Sequence, residues 1–181
     1  MLRELTPEET LSLSRAADVD TRMAIALLLS GISPEEALNL RWRDVDPEHA
    51  VVRIEGECAR TVPLSTNTAR YVATESRLPD APLLRGPAGR PATLETLATQ
   101  LLNAAHDAGL ERVHEITPHA LRHTYVAFLV RQGVRFGDLA QLVGQLPAAT
   151  LAAYSGLAPA TRVAREMINY AFPGVERLRT E

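Results

Sequence analysis

Along the first part of the chain, apolar residues fall in blocks, and two of the first three follow a strong helix-capping signature. Thr6, with Pro7 next to it and Glu9 three positions on, forms a capping box with proline at the first helical position and predicts a helix to about residue 17. A second, more apolar helix is predicted from about Asp20 to Ser30, within which "MAIALLLSGI" begins at Met23. Ser33, Pro34 and Glu36 repeat the capping signature and open a third helix, "SPEEALNL". The period then changes. "WRDVD", "AVVRIEG" and "RTVPLS" alternate apolar with polar residues, are rich in β-branched side chains and are separated by turn formers, which predicts two or three antiparallel strands.

Helical spacing returns after the strands. "STNTARYVATES" carries it weakly, and "LPDAPLLRGPAGRPA", at 78–92, is a proline- and glycine-rich loop long enough to be mobile. Leu94, Leu97, Leu101 and Ala105 share one face of a helix that Gly109 stops, and Thr117 with Pro118 starts the next. "RFGDLAQLVG" and "PAATLAAYS" read as two short helices. "APATRVAREMINYAF" reads as a last amphipathic helix over 158–172, with Val163, Met167 and Tyr170 at helical spacing. The expected fold is mainly α with a small antiparallel β-hairpin sheet, an α+β domain occupying residues 1–181.

At 181 residues the chain buries a core without needing a disulfide or a metal. Its one cysteine, Cys58, has no partner in the chain, which fits a reducing compartment. The longest apolar run is too short to span a bilayer, and "MLRELTPEE" lacks the basic and apolar character of a signal peptide. A cytoplasmic location without a membrane partner is expected. The formal net charge of -3 counts against tight binding to nucleic acid. All 19 basic side chains are arginine, so chemistry that requires a lysine cannot come from this chain.

The candidate chemistry lies in "TPHALRHTYVAFLVRQG" and in Tyr154, some thirty positions later. His119 and Arg122 sit near a helix start, where the dipole and the unpaired amides favour an anion such as phosphate. His119 and His123 are four apart on that helix, with His114 nearby, but no cysteine or carboxylate accompanies them at metal-site spacing. Neither a metal nor a cofactor is expected, and His123 is expected to point inward and bond to backbone. Ser33 is explained as a helix cap, with Glu36 returning the bond.

Four stretches, "SGISPEEALNLRWRDVD", the hairpin end "RTVPLS", "HALRHTYVAFLVRQG" and "LAQLVGQLPAATLAAYS", resemble the catalytic domain of tyrosine recombinases, the phage-integrase and Xer-like family. The resemblance covers roughly residues 5–170. In that family a tyrosine attacks a DNA phosphodiester to give a phosphotyrosyl link, two arginines and a histidine stabilise charge on the phosphate, and a hairpin lysine protonates the leaving oxygen. The resemblance implies that Tyr154 is the nucleophile position, Arg122 the second arginine and His119 its histidine. The first arginine is replaced by Ser33, and the residue after the leucine-glycine pair, histidine or tryptophan in the family, is Gln145. Arg122, His119, Gln145 and Ser33 are thus the implied phosphate-facing set.

The hairpin lysine has no counterpart; "EGECARTVP" offers Glu57. Arg41 and Arg43 fall after the helix, at the strand entry, where the family has arginine and tryptophan without a catalytic role. The resemblance also implies that the family's N-terminal DNA-clamp domain is absent; the segment 158–172 is expected to face the core by default, and the resemblance offers docking on a neighbouring protomer as the second reading. The expected partners are DNA, against the acidic balance, and a second copy or a competent recombinase. The expected function is DNA recombination or integration with weak or lost strand cleavage. The alternative is a non-enzymatic DNA- or protein-binding module on the same fold.

Overall fold

The computed structural model describes residues 3–56, 58–74, 78–160 and 163–173. Among them the chain forms α1 (Pro7–Ala16), α2 (Val19–Leu28), α3 (Pro34–Asn39), β1 (Val45–Asp46), β2 (Val51–Ile54), β3 (Arg60–Pro63), α4 (Thr66–Thr74), α5 (Leu94–Asp107), α6 (Pro118–Arg131), α7 (Phe136–Val143) and α8 (Ala148–Ser155). The strands form one antiparallel sheet in the order β1-β2-β3, with Val52 opposite both Val45 and Val62. The mainly helical architecture with a small inserted sheet is the expected one.

Capping explains where the site-bearing helices begin. The Thr6 and Ser33 side chains each accept from the amide three residues on, at 3.1 Å, and Glu9 and Glu36 return the bond to the cap amides at 2.9 and 2.8 Å. Thr117 caps α6 at Ala120, and Pro118 fills the position where a missing N–H costs nothing. From Ala120 to Ala127 every residue of α6 but Arg122 is buried, because α6 packs against α2, α3, α5 and α7 at the centre of the domain. α2 is its main partner, and Ile25, Leu27 and Leu28 are fully excluded from solvent. Each such side chain contributes roughly 1.5–3 kcal/mol relative to exposure.

Two expectations are corrected. The 78–92 segment is tied down along its first half: Leu83 donates to Leu40 O at 2.9 Å, the amides of Trp42 and Arg43 donate to Ala81 and Pro79, and Leu83 and Leu84 are buried. Arg85 adds a pair to Asp20 at 2.9 Å. Two leucines in a row, rather than the surrounding prolines and glycines, decide its behaviour.

The predicted helix over 158–172 does not form; residues 161–162 lie outside the described set, and beyond them only Arg165–Met167 makes a 3-10 turn. Val163 and Met167 stay 37% and 72% exposed, so their spacing defines no core face. The anchor is Phe172, edge-on to Phe128 of α6 with ring centroids 5.3 Å apart. The Asn169 side chain accepts from the Ala171 amide, a local bond that competes with helix. The Tyr125 hydroxyl donates to Tyr170 O at 2.9 Å.

Gly31 links the buried helices to α7. Its φ is +88°, and a Cβ there would lie 2.6 Å from Val143 Cγ1 and 2.9 Å from the Tyr125 ring. Gly31→Ala is therefore expected to cost about 2–4 kcal/mol, from a strained backbone and an overpacked core together. A drop in the urea midpoint at unchanged slope measures it.

Candidate active site

The site is built around the start of α3. Ser33 stands where the resemblance calls for an arginine, and its hydroxyl is committed to the Glu36 amide. Glu36 then reaches into the fold, where its carboxylate takes Arg60 of β3 side by side: Nη1 donates to Oε1 at 2.6 Å and Nη2 to Oε2 at 2.8 Å. Arg60 also donates from Nε to Leu142 O at 3.3 Å and from Nη1 to Cys58 O at 3.2 Å, with its side chain only 5% exposed. Burial pushes the Glu36 carboxyl up, but the Arg60 hydrogen bond, the Ser33 amide and the charges of Arg60 and Arg122 outweigh it and hold the group below its ordinary value.

Arg122 sits on the second turn of α6, partly buried, and Nη2 donates to Val143 O at 2.6 Å. Its Nε is buried without a hydrogen-bond partner among the described residues. Burial and the nearby Arg60 lower its pKa from the ordinary value, against the opposing pull of Glu36, Glu35 and Tyr154. His119, in the first turn of α6, is half exposed and places Nε2 3.3 Å from Glu35 Oε1. Gln145 is exposed directly after Gly144.

Tyr154 lies on the last turn of α8 and is 3% exposed. Its hydroxyl is 2.5 Å from His123 Nδ1, and the two rings stack at 5.3 Å and 26°. Burial, with a smaller push from Glu4 and against the pull of Arg122, raises the phenol to about 12, so at neutral pH it keeps its proton beside the imidazole. His123 points inward as expected, and its ring meets the Tyr154 hydroxyl. Glu4 Oε1 stands 4.0 Å from His123 Nε2, and Arg131 donates to the same carboxylate.

Arg122 is thus bound to the end of α7, next to the turn that leads to α8, while His119 stays on the surface with Glu35. Arg60, Glu35 and Glu36 were not expected at the site. Glu36 is legible only as a cap partner, and nothing local in "RTVPLS" signals that Arg60 pairs with a residue 24 positions earlier. Arg41 and Arg43 are held away from Ser33: Arg41 donates to Asp80 O at 2.5 Å, and Arg43 pairs with the Asp80 carboxylate. Glu57 lies outside the described residues. Among those described, no three histidine, cysteine, aspartate or glutamate side chains gather as a metal would require. No helix among them is long and apolar enough to cross a membrane.

A helical domain with an inserted three-stranded sheet, the H-x-x-R-H helix at its centre and a tyrosine-bearing helix after a glycine turn has the architecture of a tyrosine recombinase catalytic domain. The chain belongs to the phage integrase family, which it matches over residues 3–160. It is 32% identical over 148 residues to the tyrosine recombinase XerC of Nitrobacter winogradskyi, covering 76% of this chain and 46% of that protein. It is 31% identical over 137 residues to XerC of Mesorhizobium japonicum, covering 71% and 43%. The chain therefore spans about half the length of the curated relatives it matches. Among solved structures, XerA recombinase superposes with a TM-score of 0.72 at 20% identity, covering 92% of this chain and 61% of that one. XerH site-specific recombinase bound to its difH substrate gives 0.66 at 20%, covering 84% and 49%. At these identities the structural likeness speaks for the fold.

Glu36→Ala leaves the Arg60 guanidinium buried without its partner, and a loss of about 3–5 kcal/mol is expected in urea unfolding. The wild-type contribution is pH-dependent. Because the folded pKa is lowered from 4.5, the stabilisation is complete above that value and is lost as pH falls through the folded one. The stability gap between wild type and Glu36→Gln should narrow over that acid range.

Proposed function

We propose that this chain serves in DNA recombination or integration, in the cytoplasm, through a tyrosine-recombinase site with weak or lost strand cleavage. The observation that carries the reading is the 2.6 Å bond from Arg122 to Val143 O. It joins the helix bearing His119 and Arg122 to the α7–α8 segment bearing Tyr154, so the three residues of the family's chemistry belong to one connected unit. In cleavage, the Tyr154 oxygen would bond to phosphorus as the ester bond to the leaving strand oxygen breaks; the phenol proton would pass to water, and the leaving oxygen would take a proton from water.

Two parts of that chemistry are short of residues. A serine engaged in a cap supplies no guanidinium to the phosphate, and loss of one such donor costs about 10²–10³ in rate. The chain has no lysine to act as the acid, which costs on the order of 10²–10⁴ more, subject to non-additivity. A second reading, a non-enzymatic module that binds DNA or a partner recombinase through the same face, is favoured by the burial of Tyr154 against His123.

Anisotropy of a labelled random-sequence duplex, at several salt concentrations, tests the shared part of both readings. Wild type should bind in a salt-dependent manner, and Arg122→Ala should weaken binding and flatten the salt slope by about one. Absence of binding at low salt would sink the first reading and leave of the second only its partner-recombinase form. The readings separate on a nicked duplex: covalent adducts in wild type that vanish in Tyr154→Phe support cleavage, and their persistence in the mutant would refute the nucleophile. No adduct from wild type, with duplex binding intact in Tyr154→Phe, favours the module.

A further inference from the structure

Glu35 faces the proposed phosphate site without any structural duty that accounts for its position. Its neighbour Glu36 is fully used: both carboxylate oxygens hold Arg60, and Oε2 also accepts the Ser33 amide. The Glu35 carboxylate is 62% exposed, and its Oε1 lies 3.3 Å from His119 Nε2, an ion pair when the imidazole is protonated. Its charge also acts on Arg122, whose Nε is buried without a partner among the described residues. A negative group thus stands against the two side chains that the reading above assigns to a DNA phosphate.

Helix geometry puts it there. Pro34 and Glu35 are the first two residues of α3, and the Ser33–Glu36 capping box fixes that turn, so the Glu35 side chain projects toward the first turn of α6. A cavity of about 360 Å³ borders Glu35, lined also by Arg41, Arg43 and Arg53 and by Glu36, Asp44 and Glu55. The carboxylate has space to move into when it leaves His119.

Resting on the reading of this face as a phosphate site, we propose that Glu35 is an internal stand-in for the phosphate: its carboxylate occupies the anion position at His119 and must be displaced before a DNA phosphodiester binds. The chemistry it competes with is that of a tetrahedral phosphoryl oxygen accepting from an imidazole and a guanidinium. The carboxylate also adds one negative charge to a face that must approach a polyanion. Its removal should therefore strengthen binding, the opposite of the usual effect of removing a polar site residue.

The test uses Glu35→Gln and Glu35→Ser, each alone and combined with His119→Ala, with two probes: a labelled duplex in anisotropy and inorganic phosphate in thermal unfolding. Both Glu35 variants should bind the duplex about two- to fivefold more tightly than wild type, the effect of removing one exposed opposing charge. Phosphate should raise their melting temperature more than that of wild type, and His119→Ala should erase both gains. Duplex binding that depends on Arg122 but is unchanged or weakened in the Glu35 variants would overturn the stand-in and leave the DNA reading in place. A phosphate gain without duplex binding in any variant would support the stand-in as an anion gate and remove the DNA reading. No gain with either probe would overturn the proposal, and a gain that survives His119→Ala would overturn the assigned position.

Discussion

The bidentate pair between Glu36 and Arg60 joins pieces of chain that share no other covalent or sheet connection at this point. Arg60 spends Nε, Nη1 and Nη2 on Leu142 O, Cys58 O and the Glu36 carboxylate, so the hairpin, the start of α3 and the end of α7 meet at one guanidinium. Taking such a charge out of water costs several kcal/mol, and only a geometry with this many aligned acceptors offsets it. The Ser33 amide shares Glu36 Oε2 with Arg60, so the helix cap and the tertiary staple are one network. Gly144 sits directly against it: a Cβ there would come within 3.0 Å of Arg60 Nη1. The turn before α8 is therefore shaped by a strand residue more than eighty positions away.

That network also sets the electrostatics of the face proposed above to meet DNA. Two guanidiniums, Arg60 and Arg122, are balanced there by two carboxylates, Glu35 and Glu36, and burial disfavours the charge on Arg122 further. Replacement of an arginine by Ser33 thus sits in a neighbourhood already close to neutral. The local balance matches the acidic balance of the whole chain, -3 with every cation an arginine. A surface of this kind holds a polyanion by a few aimed contacts rather than by a diffuse positive field.

Much of the fold was legible because the signals were local. Thr6, Ser33 and Thr117 announce their helices through bonds that span three residues, and the alternation in "AVVRIEG" and "RTVPLS" encodes a sheet whose register the hairpin then sets. The short helix that carries Tyr154 was legible in "PAATLAAYS"; the burial of the tyrosine was not, since the imidazole beside its hydroxyl lies on another helix. Arg60 and Glu35 went unread for the same reason, as each acts on a residue distant in sequence. The 158–172 segment misled for a different one. Helical spacing of Val163, Met167 and Tyr170 creates a helix only if a groove receives it, and here a single aromatic, Phe172, found the groove first.

The placement of Tyr154 at the far end of α8 makes that helix a lever. α8 has eight residues, about 12 Å of helix, and Gly144 lies just before it with a φ of +77°. A rotation of about 20° at its base would carry the far end about 4 Å, more than the whole 2.5 Å separation of the Tyr154 hydroxyl from His123. Parting the tyrosine from its imidazole would take a swing of that size and no change of secondary structure. The pivot of that swing is clamped by the same arginine that holds the hairpin.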